Sequence, residues 1–200
     1  MENSDLRNPK QKRAIEKKEK ILEYGFKLIC EKGYHNVDAI QIAKYSGVST
    51  GTVYQYFTDK RDIFLQGLER YAKDLMFPIV DLIDKKIDKN NLHQELKKII
   101  NHIIKTHTMS KTAHEEITAM QHTDKDVAKI FNEYELEASA ILVTILTNNN
   151  FSTDSIDEKA HLIMHWIDNL CHEIVFHKHE NMDYDKMTNL VINSIEKLLE

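Results

Sequence analysis

The side chains best suited to bind a partner lie in one short stretch, where small and uncharged hydrogen-bonding residues follow one another. A glutamine there can hydrogen-bond N6 and N7 of adenine, and a threonine or tyrosine can contact a thymine methyl group. Tyrosine hydroxyls and a lysine ammonium group can bind phosphate, while small residues let a helix backbone approach base edges. The stretch is a candidate surface for duplex DNA, and its residues are Thr50, Gly51, Thr52, Tyr54, Gln55, Tyr56 and Lys60. The alternative is that the two tyrosines are packing aromatics of an ordinary helical module.

Two short helices joined by a tight turn must position these side chains. Asp38, with Gln41 three residues later, predicts a capping box that opens the first helix. Ser49 predicts the N-cap of the second helix. Gly47 supplies the positive φ that such a turn usually requires. The pair covers about residues 38–57 and has the pattern of a helix-turn-helix unit, whose second helix enters the major groove of DNA.

Charge is distributed unevenly along the chain. The net charge of the 200 residues is −5, but residues 1–65 carry 12 basic and 9 acidic side chains, so the rest of the chain carries −8. The excess of lysine and arginine is sharpest within residues 7–20. A basic segment can neutralise phosphates and release their counterions. A solvated N-terminal arm is the alternative interpretation.

Helical periodicity continues through the whole sequence, and we expect an all-α fold of about nine helices. The chain has only 5 glycines and 2 prolines, which makes a turn-rich β-sandwich improbable. The first helix is expected at about 13–32, and the helix that starts after Thr58 should be kinked or broken at Pro78. Later helices are expected to open at the N-caps Asn91, Thr112, Thr123 and Ser155.

A dense motif covers the two short helices. It reads Ile42-Ala43, then Gly47-Val48-Ser49, then Gly51-Thr52-Val53-Tyr54-Gln55-Tyr56-Phe57, and ends at Lys60. It closely resembles the signature of the TetR family of bacterial transcriptional regulators, over about residues 14–74. The resemblance implies a three-helix DNA-binding domain at 14–74 and a helical ligand-binding and dimerisation domain at 75–200. The basic arm, at 1–13, precedes them.

The resemblance also implies roles for individual residues. It places Thr50, Gly51, Thr52 and Gln55 at base edges, places Tyr54, Tyr56 and Lys60 at or near phosphates, and makes Asp38 the cap of the first short helix. Three positions depart from the usual pattern. Ser46 replaces the commoner alanine, Thr50 replaces a frequent lysine or arginine, and Asp38 replaces threonine or serine. Affinity for the DNA phosphate backbone then depends more on the basic arm and on Lys60.

The function implied is that of an Ω-shaped homodimer that represses transcription from a palindromic operator and is released by a small-molecule effector. The dimer is expected to form through the last two helices, at about 155–178 and 184–199, because each carries a long apolar face. Burial of both faces within one subunit is the alternative. The helix that ends near Pro78 is expected to transmit effector binding to the DNA-binding helices.

Large, adaptable apolar side chains on the middle helices are candidates for an effector pocket. They are Met76, Phe77, Met109, Met120, Phe131, Tyr134, Leu142 and Trp166, with His102 as a polar partner. The same residues suit a plain hydrophobic core. A pocket with so few charges favours a neutral or cationic amphipathic ligand.

Metal binding and catalysis are the rival functions. His161, His165, Asp168 and His172 share one stripe of a helix, where two histidines four residues apart can hold a metal. A polar seam is the alternative interpretation, and we expect no metal and no cofactor. No phosphate loop, His-Glu-x-x-His motif or nucleophile elbow is present, so an enzyme is not expected. A metal-responsive or non-DNA-binding helical adaptor remains the alternative. The sequence has neither a secretory signal nor an apolar run of about 20 residues, so we expect a cytoplasmic protein with no membrane partner.

Overall fold

The computed structural model describes residues 12–106 and 111–200, apart from the side chains at 75–78 and 106. The described residues form helices and short turns, without strands, which confirms the all-α prediction. The α-helices are α1 (Lys12–Lys32), α2 (Ala39–Ser46), α3 (Thr50–Tyr56), α4 (Lys60–Val80), α5 (Leu92–Thr106), α6 (Lys111–Thr123), α7 (Lys125–Asn148), α8 (Ile156–Phe176) and α9 (Tyr184–Leu199). Single 3₁₀ turns lie at Tyr34–Asn36 and Lys89–Asn91.

The caps of the two short helices follow the sequence rules. The backbone N–H of Gln41 donates to Asp38 Oδ1 at 2.8 Å, and the N–H of Asp38 donates to Gln41 Oε1 at 3.2 Å, which completes the predicted capping box. Gly47 ends α2 with φ of 68°, and its N–H donates to the carbonyl groups of the last turn. The turn therefore needs glycine, as expected.

Three of the expected caps are wrong. Asp124, and not Thr123, caps α7: its Oδ1 accepts the N–H of Asp126 at 3.0 Å, because the Thr123 hydroxyl is donated back to a carbonyl of α6. Ser155 precedes α8 in the left-handed region, with φ of 50°, and its side chain makes no capping hydrogen bond. Thr112 lies within α6, which begins one residue earlier at Lys111.

Pro78 does not break α4. The helix continues to Val80, two residues beyond the proline. A proline within a helix removes the hydrogen bond of its own nitrogen. So close to the C-terminus, the helix tolerates that loss and ends shortly afterwards.

The described residues fall into two compact units. The amino-terminal unit comprises 12–71 and 111–130, and the other comprises 72–106 and 131–200. The domain boundary expected from sequence lies between residues 74 and 75. The compact units instead divide after residue 71, and α6 belongs to the amino-terminal unit. Ala113 and Ile117 of α6 are buried, and α6 packs on α1.

The core of the amino-terminal unit is made by the facing sides of α1, α2, α3 and the first half of α4. Its fully buried residues are Ile21, Ile42, Val53, Phe57, Ile63, Phe64 and Leu68. Gly25 lets α1 approach its neighbours, because a Cβ there would lie 2.9 Å from Ile63 Cγ2 and 3.1 Å from Ile42 Cγ2. Close helix packing of this kind fixes the two short helices, which are too short to be stable alone.

The core of the second unit is formed by α5, α7, α8 and α9. Its buried residues include Ile100, Leu146, Ile163, Leu170, Ile192 and Ile195. Asn149, at the end of α7, connects this core to the segment after α4: its Oδ1 accepts the N–H of Ile87 at 2.6 Å. No helix among the described residues is long and apolar enough to cross a membrane.

Ser46 provides a test of the packing at the helix-turn-helix turn. Its side chain is fully buried, and its hydroxyl has no hydrogen-bond partner within the described part of the chain. Because an unpaired buried hydroxyl is unfavourable, Ser46→Ala should raise the free energy of unfolding by about 1 kcal/mol in urea titrations. Ser49→Ala is the control, since loss of an N-cap should lower stability by about 1 kcal/mol. A decrease for Ser46→Ala would show that the hydroxyl is satisfied.

Candidate nucleic-acid interface

The helix α3 has a buried face and an exposed face. Val53 has no exposed surface, whereas Tyr54 is 52% exposed and Gln55 is also exposed. Thr50 and Thr52 are half-buried at the edge between the two faces. The exposed face thus presents hydrogen-bonding groups of the kind that contact base edges and phosphates.

Gly51 lies in the first turn of this exposed face, and the fold does not require it. A Cβ at this position would meet no atom within 4 Å. Its φ is not in the left-handed region, and glycine costs a helix about 1 kcal/mol relative to alanine. A destabilising residue without a packing or backbone reason fits a surface on which a partner's atoms come close to the helix backbone.

Ser49 and Thr52 define the start of α3. Ser49 Oγ accepts the N–H of Thr52 at 3.2 Å, as predicted for an N-cap. The two hydroxyl oxygens also lie 2.8 Å apart. The pair fixes the direction in which the helix N-terminus points, so the first turn is held before any partner binds.

The structure places two of the expected phosphate ligands differently. Tyr56 is only 5% exposed and packs in the core, because it follows the buried side of α3 and not the side of Tyr54. Lys60 Nζ donates to the carbonyl oxygens of Tyr34 at 2.7 Å and Val37 at 2.8 Å. The ammonium group therefore ties the start of α4 to the connection between α1 and α2.

Further positive charge lies beside the helix-turn-helix. Lys12, Arg13, Lys17 and Lys20 are exposed on the first half of α1. Lys20 Nζ lies next to Gly47, and Lys18 Nζ lies 5.6 Å from the ring centroid of Phe57. The basic segment expected from the sequence therefore flanks α2 and α3. The part of it that precedes Lys12 is outside the described residues.

An ion pair that the sequence did not reveal joins the start of α4 to the junction of α6 and α7. Arg61 donates to both carboxylate oxygens of Asp124, at 2.6 and 2.7 Å, and to Asp126 at 2.8 Å. The hydrogen bond from Arg61 lowers the pKa of Asp124 from 3.8 to about 2. The only signal in the sequence is the pair of acidic residues Asp124 and Asp126. The residues around them do not indicate that Arg61, 63 positions before Asp124, is their partner.

The second unit contains an apolar cavity of about 110 Å³. It is lined almost entirely by isoleucine and leucine side chains of α5, α7, α8 and α9, including Ile99, Leu142, Leu146, Ile163 and Ile195. Lys85, Lys86 and Glu95 are its polar lining residues. Both lysines are exposed, and Glu95 Oε1 accepts from Lys98 at 2.8 Å.

Of the residues proposed for a pocket from sequence, Leu142 lines this cavity, whereas the others within the described residues do not. His102 is exposed on α5, and Trp166 packs against the core of the second unit. Met120 contributes instead to a small cleft of the amino-terminal unit, and Phe131 and Tyr134 are half-buried away from the cavity. The Met76 and Phe77 side chains and Met109 lie outside the described residues.

Comparison with known proteins supports a single class. Residues 21–66 match the family "Bacterial regulatory proteins, tetR family". An HTH-type transcriptional regulator of Staphylococcus aureus (strain bovine RF122 / ET3-1) is 30% identical over 102 residues, which are 51% of this chain and 54% of that protein. The matched region thus spans about half the length of that curated relative.

Two solved structures share the fold over nearly the whole chain. A TetR-family transcriptional regulator from Mesorhizobium loti has a TM-score of 0.76 at 19% identity, covering 94% of this chain and 98% of its own. The regulator FadR from Bacillus subtilis, solved in complex with stearoyl-CoA, has a TM-score of 0.66 at 21% identity, covering 91% and 99%.

The fold and the exposed α3 face define a helix-turn-helix protein. Residues 21–66 match the tetR family of bacterial regulatory proteins, which agrees with the resemblance of the motif at 42–60.

The Arg61–Asp124 ion pair should make the stability of the fold depend on acid pH. A carboxyl group whose pKa is lower in the folded chain stabilises the fold above its unfolded pKa, and this contribution is lost as pH falls from about 4 to 2. Asp124→Asn keeps a capping side chain and should lower the free energy of unfolding at pH 7 by about 1–3 kcal/mol. Thermal melts from pH 7 to pH 2.5 would measure this.

The more exposed Asp126 supplies the control, and Asp126→Asn should cost less than 1 kcal/mol. A difference between wild type and Asp124→Asn that is equally large at pH 7 and pH 2.5 would contradict the ion pair.

Proposed function

We propose that this chain is a transcriptional regulator that reads duplex DNA in the major groove with α3. The observation that carries the proposal is the exposed α3 face, where Tyr54 and Gln55 lie one turn after Gly51, a glycine that packing does not require. Gln55 would read a base edge and Tyr54 would contact a phosphate. The basic first half of α1, beside the helix-turn-helix, supplies sequence-independent attraction.

We propose that two copies act together, through α8 and α9. One seven-residue helix offers few base contacts, whereas a two-fold pair reads a palindrome with half-sites about one helical turn apart. Leu162 on α8 is 43% exposed and Leu190 on α9 is 66% exposed. These apolar side chains on the outside of the second unit are suited to an interface between copies.

For the effector, the apolar cavity of the second unit favours a fatty acyl compound. Its lining is almost wholly aliphatic, so it suits part of a hydrocarbon chain. A long acyl chain would have to widen the cavity of about 110 Å³ as it binds. The two lysines among its lining residues suit an anionic head group, which replaces the neutral or cationic ligand expected from sequence. The B. subtilis regulator of the same fold was solved with stearoyl-CoA. We propose that the chain is a repressor, and that such a ligand lowers its DNA affinity by favouring a state that does not bind DNA.

Effector binding would be coupled to DNA binding through α4. This helix begins three residues after Phe57, the residue that closes α3, and its residues from Ala72 onward belong to the second unit. Arg61 holds its first turn to Asp124 and Asp126. A shift of α4 would therefore be passed to α3 directly, through the covalent connection.

The experiment that tests DNA reading is selection from random duplex DNA with the purified full chain. A recovered palindrome, with log K falling linearly with log salt concentration, would support the proposal. Tyr54→Phe should then weaken binding to all duplexes alike, while Gln55→Ala should change the preferred sequence. Recovery of no sequence by a folded, dimeric chain, with and without acyl-CoA, would favour the non-DNA-binding adaptor.

Gly51→Ala separates a DNA-contact role from a folding role. Alanine is the better helix former, so the variant should unfold with a free energy equal to wild type or up to about 1 kcal/mol higher. Its added methyl group should nevertheless reduce affinity for the selected duplex by at least about 10-fold, by keeping α3 from the groove. Urea titration and fluorescence anisotropy measure the two quantities. Unchanged DNA affinity would remove Gly51 from the interface.

Filling the cavity should abolish the effector response. Ile99→Trp places a larger side chain in the lining, at a cost in stability of about 1–3 kcal/mol. The rise in melting temperature with stearoyl-CoA, and release of the selected duplex by it, should both be lost. His102→Trp is the control on the same helix, because His102 is exposed, and it should respond as wild type does. Loss of the response in both variants, or in neither, would contradict this placement.

A further inference from the structure

A cluster of three possible metal ligands lies in the second unit, where one side chain of α7 meets two side chains of α8. His165 Nε2 lies 3.1 Å from Glu135 Oε1 and 3.1 Å from His161 Nε2. His161 Nε2 lies 3.5 Å from the same Glu135 oxygen. The two imidazole rings meet edge to face, with centroids 4.4 Å apart. Three atoms that can each donate an electron pair thus lie within 3.5 Å of one another.

The dimensions of this triangle match those of a zinc site. With Zn–N and Zn–O bonds of about 2.0–2.1 Å, tetrahedral geometry places neighbouring ligand atoms about 3.3–3.4 Å apart. The three distances in the chain, 3.1, 3.1 and 3.5 Å, bracket that edge length. A simple hydrogen-bonded chain would need only two of these contacts. The closing of the third side distinguishes a convergent ligand set from such a chain.

The surroundings support the same interpretation. Ser139 is buried and its Oγ lies 3.5 Å from Nδ1 of His161, on the ring edge away from the triangle. Metal-binding histidines commonly have a polar partner at the other nitrogen, which orients the ring. The side chains of His161, His165 and Glu135 are 45%, 51% and 36% exposed. A fourth position is therefore open to water or to a further ligand.

We infer that Glu135, His161 and His165 form a binding site for a zinc-type divalent cation that joins α7 to α8. The stripe noted in the sequence resolves into two parts: His161 and His165 belong to this site, while His172 Nδ1 lies 3.6 Å from Asp168 Oδ2. Glu135 was not foreseen, because its position opposite the two histidines depends on how α7 packs. The expectation of no metal site is revised accordingly.

The cysteines do not offer a competing site of this kind. Burial raises the pKa of Cys30 and of Cys171 to about 12. Zinc binds the thiolate form, which is scarce in both residues at neutral pH. Among the described residues, the groups able to hold a metal are these two histidines and Glu135.

Calorimetric titration of the tag-free full chain with Zn²⁺, after treatment with a chelator, tests the inference. We expect one Zn²⁺ per chain, a higher melting temperature with Zn²⁺, and a visible spectrum typical of tetrahedral Co²⁺ when cobalt is used instead. His161→Gln, His165→Gln and Glu135→Gln should each weaken binding by at least about 10-fold, since even the loss of an outer partner costs that much. Circular dichroism melts without metal would establish that each variant folds.

The matched control is His179→Gln. His179 Nε2 lies 3.3 Å from Glu173 Oε1, so it forms a histidine–carboxylate pair without the second imidazole. This variant should bind Zn²⁺ as wild type does. Absence of Zn²⁺ binding to the wild-type chain, or equal affinity in wild type, His161→Gln and His165→Gln, would overturn the inference. The test does not depend on DNA or on an acyl ligand, so it stands apart from the proposed function.

Discussion

The packing of α3 onto its neighbours determines where its exposed side chains point. A helix of seven residues is not stable alone, because so few hydrogen bonds do not offset the free-energy cost of helix nucleation. Val53 and Phe57, both without exposed surface, hold it in the core. Every exposed group of α3 then has a defined direction. The chemistry of the candidate DNA surface is thus a consequence of apolar burial on the opposite side of the same helix.

Hydrogen bonds add to the apolar packing that holds α3 and the helices around it. Ser49 sets the start of α3, and Lys60 ties the next helix to the connection after α1. Glu116 of α6 accepts the N–H of Tyr34 in that same connection at 2.6 Å. The amino-terminal unit is therefore held by residues of α6 as well as by the helix-turn-helix itself, and α6 is part of the scaffold that positions α3.

Helices and turns that depend on neighbouring residues could be predicted from the sequence, whereas contacts between residues far apart in the chain could not. The Asp38 capping box and the turn at Gly47 involve neighbouring residues, so the sequence alone identified them. Lys60 satisfied the local pattern of a phosphate ligand, but its carbonyl partners lie 26 and 23 residues away. The cavity was sought mainly among methionines and aromatics, whereas isoleucines and leucines form most of its lining. Such positions follow from how whole helices pack, which periodicity does not specify.

The most direct test of major-groove reading by α3 is a guanine N7 methylation interference footprint on the duplex that the chain selects. N7 faces the major groove, so methylation there should block binding at positions in two half-sites about 10 base pairs apart. Binding that tolerates N7 methylation throughout, yet is displaced by a minor-groove ligand, would contradict the assignment of α3 as the reading helix.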